Sequence, residues 1–524
     1  MKRRSLAALA ALMLFSPPAL AAGPTATAAL NAIAARPQFA HAIVAAEVWD
    51  IDSGRALYAR NADVLMEAAS TTKLLTNGTT LALLGPNFRF TTPVYRTGTI
   101  DSAGVLHGDL VLVASGDANL SQRIGPNDTL RFENEDHSYD GGYDTRAIPG
   151  DPLTVLRDLA KQVAQAGIKE VDGRVAVDSS LFPDQGPEGG TGAIVSPVVV
   201  NDNLVDVTVT PGENAGDPVT IAVSPQTPYV SFVNNAKTGA PKTEPTIDLS
   251  QDKTNADGTH TVTIAGAMPA GKPILFAYRV PEPQRYAQAG FALALQDAGV
   301  TVNVPADAPP FDAAKAAAAY VPANLVAKHL SPPISEDVYV TLKVSDNLHA
   351  GLMPYMWGVY VAHAKTDVLR AGFAREHAML SNAGLDLAGA AQQDGLGAFG
   401  FFTPRFMVSY LTWVSRQSWY PSFLRALPIL GVDGTLFNIQ NGSPAVGKVH
   451  AKTGTWGSEN LLDDDELVSK GLAGYMTTSH GRHIAFAFYI NRMAGKQSVN
   501  TSKDAAHYAG QTLGEMATDV YTML

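Results

Sequence analysis

Three short motifs stand far apart in this chain: Ser70-Thr71-Thr72-Lys73, then Ser345-Asp346-Asn347, then Lys452-Thr453-Gly454. The gaps between them are 275 and 107 residues. A fold that uses all three must bring remote segments to one place, and the first gap is long enough to hold whole extra domains. The texture of the chain agrees. Residues 42–60 read as two strands joined at Asp52-Ser53-Gly54. Leu74, Leu75, Leu81, Leu83 and Leu84 form a broad helical face that Gly85-Pro86 stops. Short alternating strands are expected at 90–115 and 171–178, and the stretch 200–280 is a run of strands punctuated by Pro, Gly and Asn. Helical signals occupy 284–299, 345–381 and 403–426, and VYVTLKV before Ser345 reads as a strand. Late strands at 446–455, 471–477 and 483–490 precede a last helix at 505–523. That helix lacks the basic face that would hold it on anionic lipid, so packing on a sheet is expected. The outline is α/β at both ends around a β-rich interruption.

Each motif alone is weak. Ser250-Gln-Asp-Lys253 is a second S-x-x-K, Lys237-Thr-Gly239 a second K-T-G, and Ser458-Glu-Asn460 and Ser498-Val-Asn500 also fit S-x-N. Setting separates them. Ser70 opens a predicted helix, where Lys73 lies one turn on and on the same face. Ser250 falls in a polar turn between strands, and Lys237 in a loop broken by Pro241. A serine at a helix start is most often a cap, so the case rests on the three motifs together.

The chemistry they suggest is acyl transfer. A serine hydroxyl needs a base within hydrogen-bond reach. Lys73 can serve if its pKa falls well below the free lysine value, and burial and the second cation Lys452 would both lower it. Ser345 can relay a proton, and Asn347 can donate to a substrate amide and hold the lysine. Lys452, with the hydroxyls of Thr453 and Thr455, can bind a terminal carboxylate. Gly454 has no Cβ, so another segment can approach that strand. The backbone N–H groups of Ser70 and Thr455 are candidate oxyanion donors.

Composition removes other classes. The 524 residues carry a formal charge of −11 and no basic block, which disfavours nucleic acid. Cys is absent, so disulfides, thiol nucleophiles and thiolate zinc sites are excluded. No apolar run reaches the roughly 20 residues of a membrane span. Lys2, Arg3 and Arg4, the apolar stretch Leu6 to Phe15, and Ala19 and Ala21 form a signal-peptide pattern. Cleavage near Ala21 and export to the periplasm or cell wall are expected, leaving a mature charge of −14.

The chain resembles the D-alanyl-D-alanine carboxypeptidase/endopeptidase family, the low-molecular-mass class C penicillin-binding proteins, over nearly its whole mature length. VWDIDSGRALYARNAD, ASTTKLL, GVLHGDLVLVASGDANL, NDNLVDVTVTPG, VSDNL, GVDGTL, AKTGT and LAGYMTTSHGRHIAFAFYIN carry the likeness. The resemblance implies a penicillin-binding transpeptidase/β-lactamase-like α/β domain, an antiparallel sheet with helices on both faces, split by a β-rich two-part insertion. The expected division is 1–21 leader, 22–85 with 325–524 catalytic, 86–120 with 200–324 inserted and β-rich, and 121–199 a second inserted domain. It implies cleavage of D-Ala-D-Ala, or of cross-links, in peptidoglycan stem peptides, and acylation by β-lactams. Carried over by motif, Ser70 is nucleophile, Lys73 base, Ser345 and Asn347 the second element, and Lys452, Thr453, Gly454 and Thr455 the substrate clamp. Two stretches depart from the family pattern. Asp394 to Gly400 is shorter and more apolar than the usual D-G-S-G-L-S-R-like run. GPEGGTGAIVSPVVVNDN lacks the aromatic pair of many relatives.

No metal or cofactor is implied, and a homo-oligomer is left open. Gly395-x-Gly397-x-x-Gly400 follows no apolar strand, and Gly442 to Lys448 lacks the hydroxyl of a phosphate loop. His349 and His450 read as core or solvent histidines, and the charged stretch 121–150 as a solvated loop rather than a cation site. The rival functions are a β-lactamase or esterase with the same nucleophile, and a non-catalytic cell-wall-binding protein.

Overall fold

The computed structural model describes residues 25–304, 310–462, 464–494 and 502–524. The expected leader, 1–21, and the decoy at 498–500 lie outside the described residues. The catalytic sheet is built from both ends of the chain. Strands β1 (Ile43–Asp50), β2 (Arg55–Arg60), β3 (Val449–Asn460), β4 (Asp464–Thr477) and β5 (His483–Ala494) lie in the order β2-β1-β5-β4-β3. Every pairing is antiparallel.

Period-two alternation decides which side chains meet which helices. On β5, Ile484, Phe486, Phe488 and Ile490 face one side, with Val44, Ala46 and Val48 of β1. There they pack on helix α1 (Ala26–Ala34) and on the terminal helix, Ser502–Met523. Ala485, Ala487 and Tyr489 face the other side, under Leu74 and Leu75 of α2 (Lys73–Leu84) and Phe406 and Tyr410 of the helix Pro404–Val414. The alanines on that side leave room for helices to come close. The phenylalanines opposite are fully buried, worth roughly 1.5–3 kcal/mol each.

The insertion holds smaller sheets. Leu204–Thr210 pairs antiparallel with Thr220–Ser224 and with Ile274–Arg279. Leu325–Leu330 pairs with Thr91–Arg96, and Leu110–Val113 pairs with Val175–Asp178. Hydrogen bonding therefore runs across the boundaries expected at 120 and 324.

Four local readings change. VYVTLKV is not a strand: it lies in helix α3, Ile334–Val344, which is buried on nearly all sides. A helix covered all round shows no amphipathic period and resembles a buried strand. Ser250 and Lys253 lie in the strand Asp248–Thr254 rather than a turn. Both side chains are exposed there, and no helical turn stacks the amine on the hydroxyl. Lys237–Gly239 is a short strand beside Ala267–Pro269, not a loop. The 121–150 stretch is no solvated loop either: Arg123, Asp136 and His137 are fully buried. Their partners include Asp202, remote in sequence, so the charges look free when the segment is read alone.

Candidate active site

Ser70 lies in a tight 3-10 turn, Ala69–Thr72, that leads directly into α2 at Lys73. The turn is braced from outside. Ala68 N–H donates to the Gly400 carbonyl at 2.8 Å. Ala69 sits at φ 45°, a left-handed conformation that costs an L-residue about 1–2 kcal/mol. The shortened Asp394–Gly400 run is the brace. Asp394 accepts backbone N–H bonds from Leu396, Gly397 and Phe399. Gly397, at φ +101°, passes so close that a Cβ would collide with the Ala69 carbonyl.

The catalytic candidates converge behind this turn. Lys73 Nζ is 2.9 Å from Ser70 Oγ, 2.8 Å from the Ser345 carbonyl and 3.2 Å from Ser345 Oγ, and also meets Asn347 Oδ1. An ammonium has three N–H groups and four acceptors surround it. Lys452 Nζ donates to Ser345 Oγ at 2.8 Å and to the Thr453 carbonyl at 2.9 Å. Ser345 Oγ thus bridges the two lysines. Ser345 adopts φ 65° at the end of α3, and Asn347 opens helix α4, Asn347–Met356, capped by Asp346.

Burial lowers the Lys73 amine from 10.5 to about 8, against the opposing pull of Asp346, Glu188 and Asp394. The second-cation effect expected on Lys73 falls on Lys452, which burial and then Lys73 and Lys470 push well below the usual lysine range. Both lysines are fully buried.

In front of them opens a cleft of about 950 Å³, lined by Ser70, Tyr139, Asn347, Thr455, Trp456 and Lys470 among others. Thr453 also lines it, its hydroxyl donating to Thr435 Oγ1 at 2.7 Å. Gly454 acts by what it lacks: a Cβ there would lie 2.5 Å from the Ala68 carbonyl oxygen and 3.3 Å from Ser70 N.

A model of the D-Ala-D-Ala carboxypeptidase 3 (S13) family matches residues 26–512. The chain belongs to this family. It is a serine-type D-Ala-D-Ala carboxypeptidase, as the resemblance implied. It is similar to the D-alanyl-D-alanine carboxypeptidase of Actinomadura sp. (strain R39), 28% identical over 523 residues that span 93% of this chain and 86% of that one. It is 23% identical to the D-alanyl-D-alanine carboxypeptidase DacB of Haemophilus influenzae, over 82% and 81% of the two chains. The crystal structure of penicillin binding protein 4 (dacB) from Haemophilus influenzae shares the fold, with a TM-score of 0.69 and 21% identity over 94% of this chain and 99% of that one.

Sequence reasoning missed three residues that line this cleft. Lys470 is carried by β4 opposite Thr455, and its Nζ donates to Thr455 Oγ1 at 2.7 Å. Tyr139 comes from the segment taken for a solvated loop; its hydroxyl donates to the Ser345 carbonyl at 2.6 Å. Trp456 follows Thr455 directly, and an aromatic beside the third motif was a readable signal. GPEGG itself brings no ring to the cleft, as its sequence indicated, and its Glu188 lies close enough to raise the Lys73 amine. His349 is a core histidine, as read, with both ring nitrogens against carboxylates.

Proposed function

We propose that Ser70, Lys73, Ser345, Asn347 and Lys452 carry out the carboxypeptidase reaction as one proton-transfer unit. The observation that carries this reading is the chain Ser70–Lys73–Ser345–Lys452, every link within hydrogen-bond distance. Neutral Lys73 takes the Ser70 proton as Oγ bonds to the penultimate D-Ala carbonyl carbon. The C–N bond to the terminal D-Ala then breaks, and its nitrogen receives a proton through Ser345. Water adds to the acyl-enzyme and releases the shortened stem peptide and Ser70. The N–H groups of Ser70 and Thr455 serve as the oxyanion donors. The same attack opens a β-lactam ring, and a cross-linking peptide bond is a substrate of the same kind.

Lys470 is the residue best placed for the substrate carboxylate, since it lines the cleft while Lys452 is buried behind Ser345. Lys470→Ala is expected to raise KM for a D-Ala-D-Ala peptide about tenfold or more. The same change should leave a C-terminally amidated peptide unaffected. Equal loss on both peptides removes the assignment.

Glu376, the one glutamate between the second and third motifs, does not line the cleft. It is buried against Thr79 and pushed up to about 7 by that burial, so it does not take the water-activating place of a class A β-lactamase glutamate. No helix among the described residues is long and apolar enough to cross a membrane. Export into the periplasm, directed by the leader, completes the reading. Digestion of purified muropeptides tests it: monomers should lose one alanine, and cross-linked dimers should give monomers. If neither product forms and penicillin is instead turned over rapidly, the reading fails in favour of a β-lactamase.

A further inference from the structure

Behind the cleft, one carboxylate touches two elements that carry cleft residues. Asp202 sits in Asn201-Asp202-Asn203, where all three residues have positive φ (50°, 53° and 54°). Asn and Asp tolerate that left-handed backbone better than other L-residues. Asp202 Oδ2 accepts from Arg123 Nε at 3.0 Å and lies 2.7 Å from His137 Nε2. Both partners belong to the segment that carries Tyr139. Asp202 Oδ1 lies 3.0 Å from His349 Nε2, in the first turn of α4, two residues beyond Asn347. Arg123 also clasps Asp136, whose carboxylate caps the turn His137–Tyr139.

The arms end on the same group. Tyr139 Oη meets Asn347 Oδ1 at 3.3 Å as well as the Ser345 carbonyl, and Asn347 Oδ1 also receives Lys73. The second ring nitrogens are engaged too: His137 Nδ1 is 2.8 Å from Asp206 and His349 Nδ1 is 2.7 Å from Asp337. Burial alone would lower both imidazole pKa values, but the surrounding carboxylates hold them well above the usual range. All four ring nitrogens thus face a carboxylate oxygen within hydrogen-bond distance. Asp202 itself is 2% exposed and does not line the cleft.

We propose that Asp202 is a positioning residue for acyl transfer, fastening the Tyr139 turn to the Asn347 helix and so fixing the Asn347 carbonyl on which Lys73 rests. The proposal rests on the Ser70–Lys73 reading above. A base held slightly out of place loses rate without losing substrate, because preorganisation acts on the reacting geometry.

The test is the acylation of purified protein by a fluorescent penicillin, resolved into a binding constant and a first-order acylation constant. Asp202→Asn keeps the size and the backbone tolerance and removes the charge. The acylation constant should fall about tenfold or more, with binding within about threefold. Tyr139→Phe should also slow acylation, and should cost less in the Asp202→Asn background than alone, because the hydroxyl is already displaced there. A folded Asp202→Asn protein that acylates at the wild-type rate overturns the proposal. So does a loss confined to binding, or independent effects of the two changes. Should Asp202→Asn fail to fold, Asp136→Asn and His349→Gln each remove one arm, and both must slow acylation. Wild-type protein that is never labelled, or label retained by Ser70→Ala, sinks the underlying reading instead.

Discussion

Ser70→Ala loses all covalent labelling by a fluorescent penicillin, and its release of D-Ala falls by about 10⁴-fold or more, as when an acyl-transfer nucleophile is removed. Its melting temperature stays close to the parent's, because a half-buried hydroxyl is lost and the braced turn remains. The matched control is Ser250→Ala, which leaves labelling intact because that serine is exposed on a strand, outside the cleft. Labelling of the parent across pH tests the base in the same experiment. Lys73 acts as base only when neutral. At pH 7 an amine of pKa 10.5 is neutral in about one molecule in 3,000, but one lowered to about 8 in about one in ten. The rate should therefore climb about tenfold per pH unit below 8 and level off above it. A rate flat from pH 6 to 9 removes Lys73 as the base.

The second large effect comes from a residue with no side chain. In Gly454→Ala the new Cβ meets the Ala68 carbonyl oxygen at 2.5 Å, with Thr71 N at 3.2 Å and Ser70 N at 3.3 Å. These are backbone atoms, so no side-chain rotation relieves the contact. The strand and the nucleophile turn must separate, which carries Ser70 away from Lys73 and from the cleft. Acylation should fall about 100-fold or more, and stability by about 1–3 kcal/mol, the usual cost of overpacking. Stopped-flow labelling and thermal melting measure the two. A Gly454→Ala protein that acylates normally shows that β3 does not press on the turn.

The chemistry of this S13 protein was legible where it is local. Ser70 and Lys73 are one turn apart at a helix start, and that spacing in that setting puts the amine over the hydroxyl. The sheet was legible too. Ile484, Phe486 and Phe488 alternate with Ala485 and Ala487, and the strand sorts them to opposite faces by itself. The failures have two causes. The α3 helix hid because it is covered all round and presents no polar stripe. Segment 121–150 hid because Arg123 and His137 pair with Asp202, and a charge with a remote partner reads as a charge in water.

The sequence by itself determined the Ser70–Lys73 pair and the two-faced strands, since each depends on spacings of a few residues and on the element that carries them. The tertiary structure alone decided that Lys470 stands opposite Thr455, that Tyr139 reaches Ser345, and that Asp202 joins two remote segments. Those contacts follow from strand register and from the pairing of buried charges. Both are settled when distant segments leave water together, and neither is written in the residues on either side.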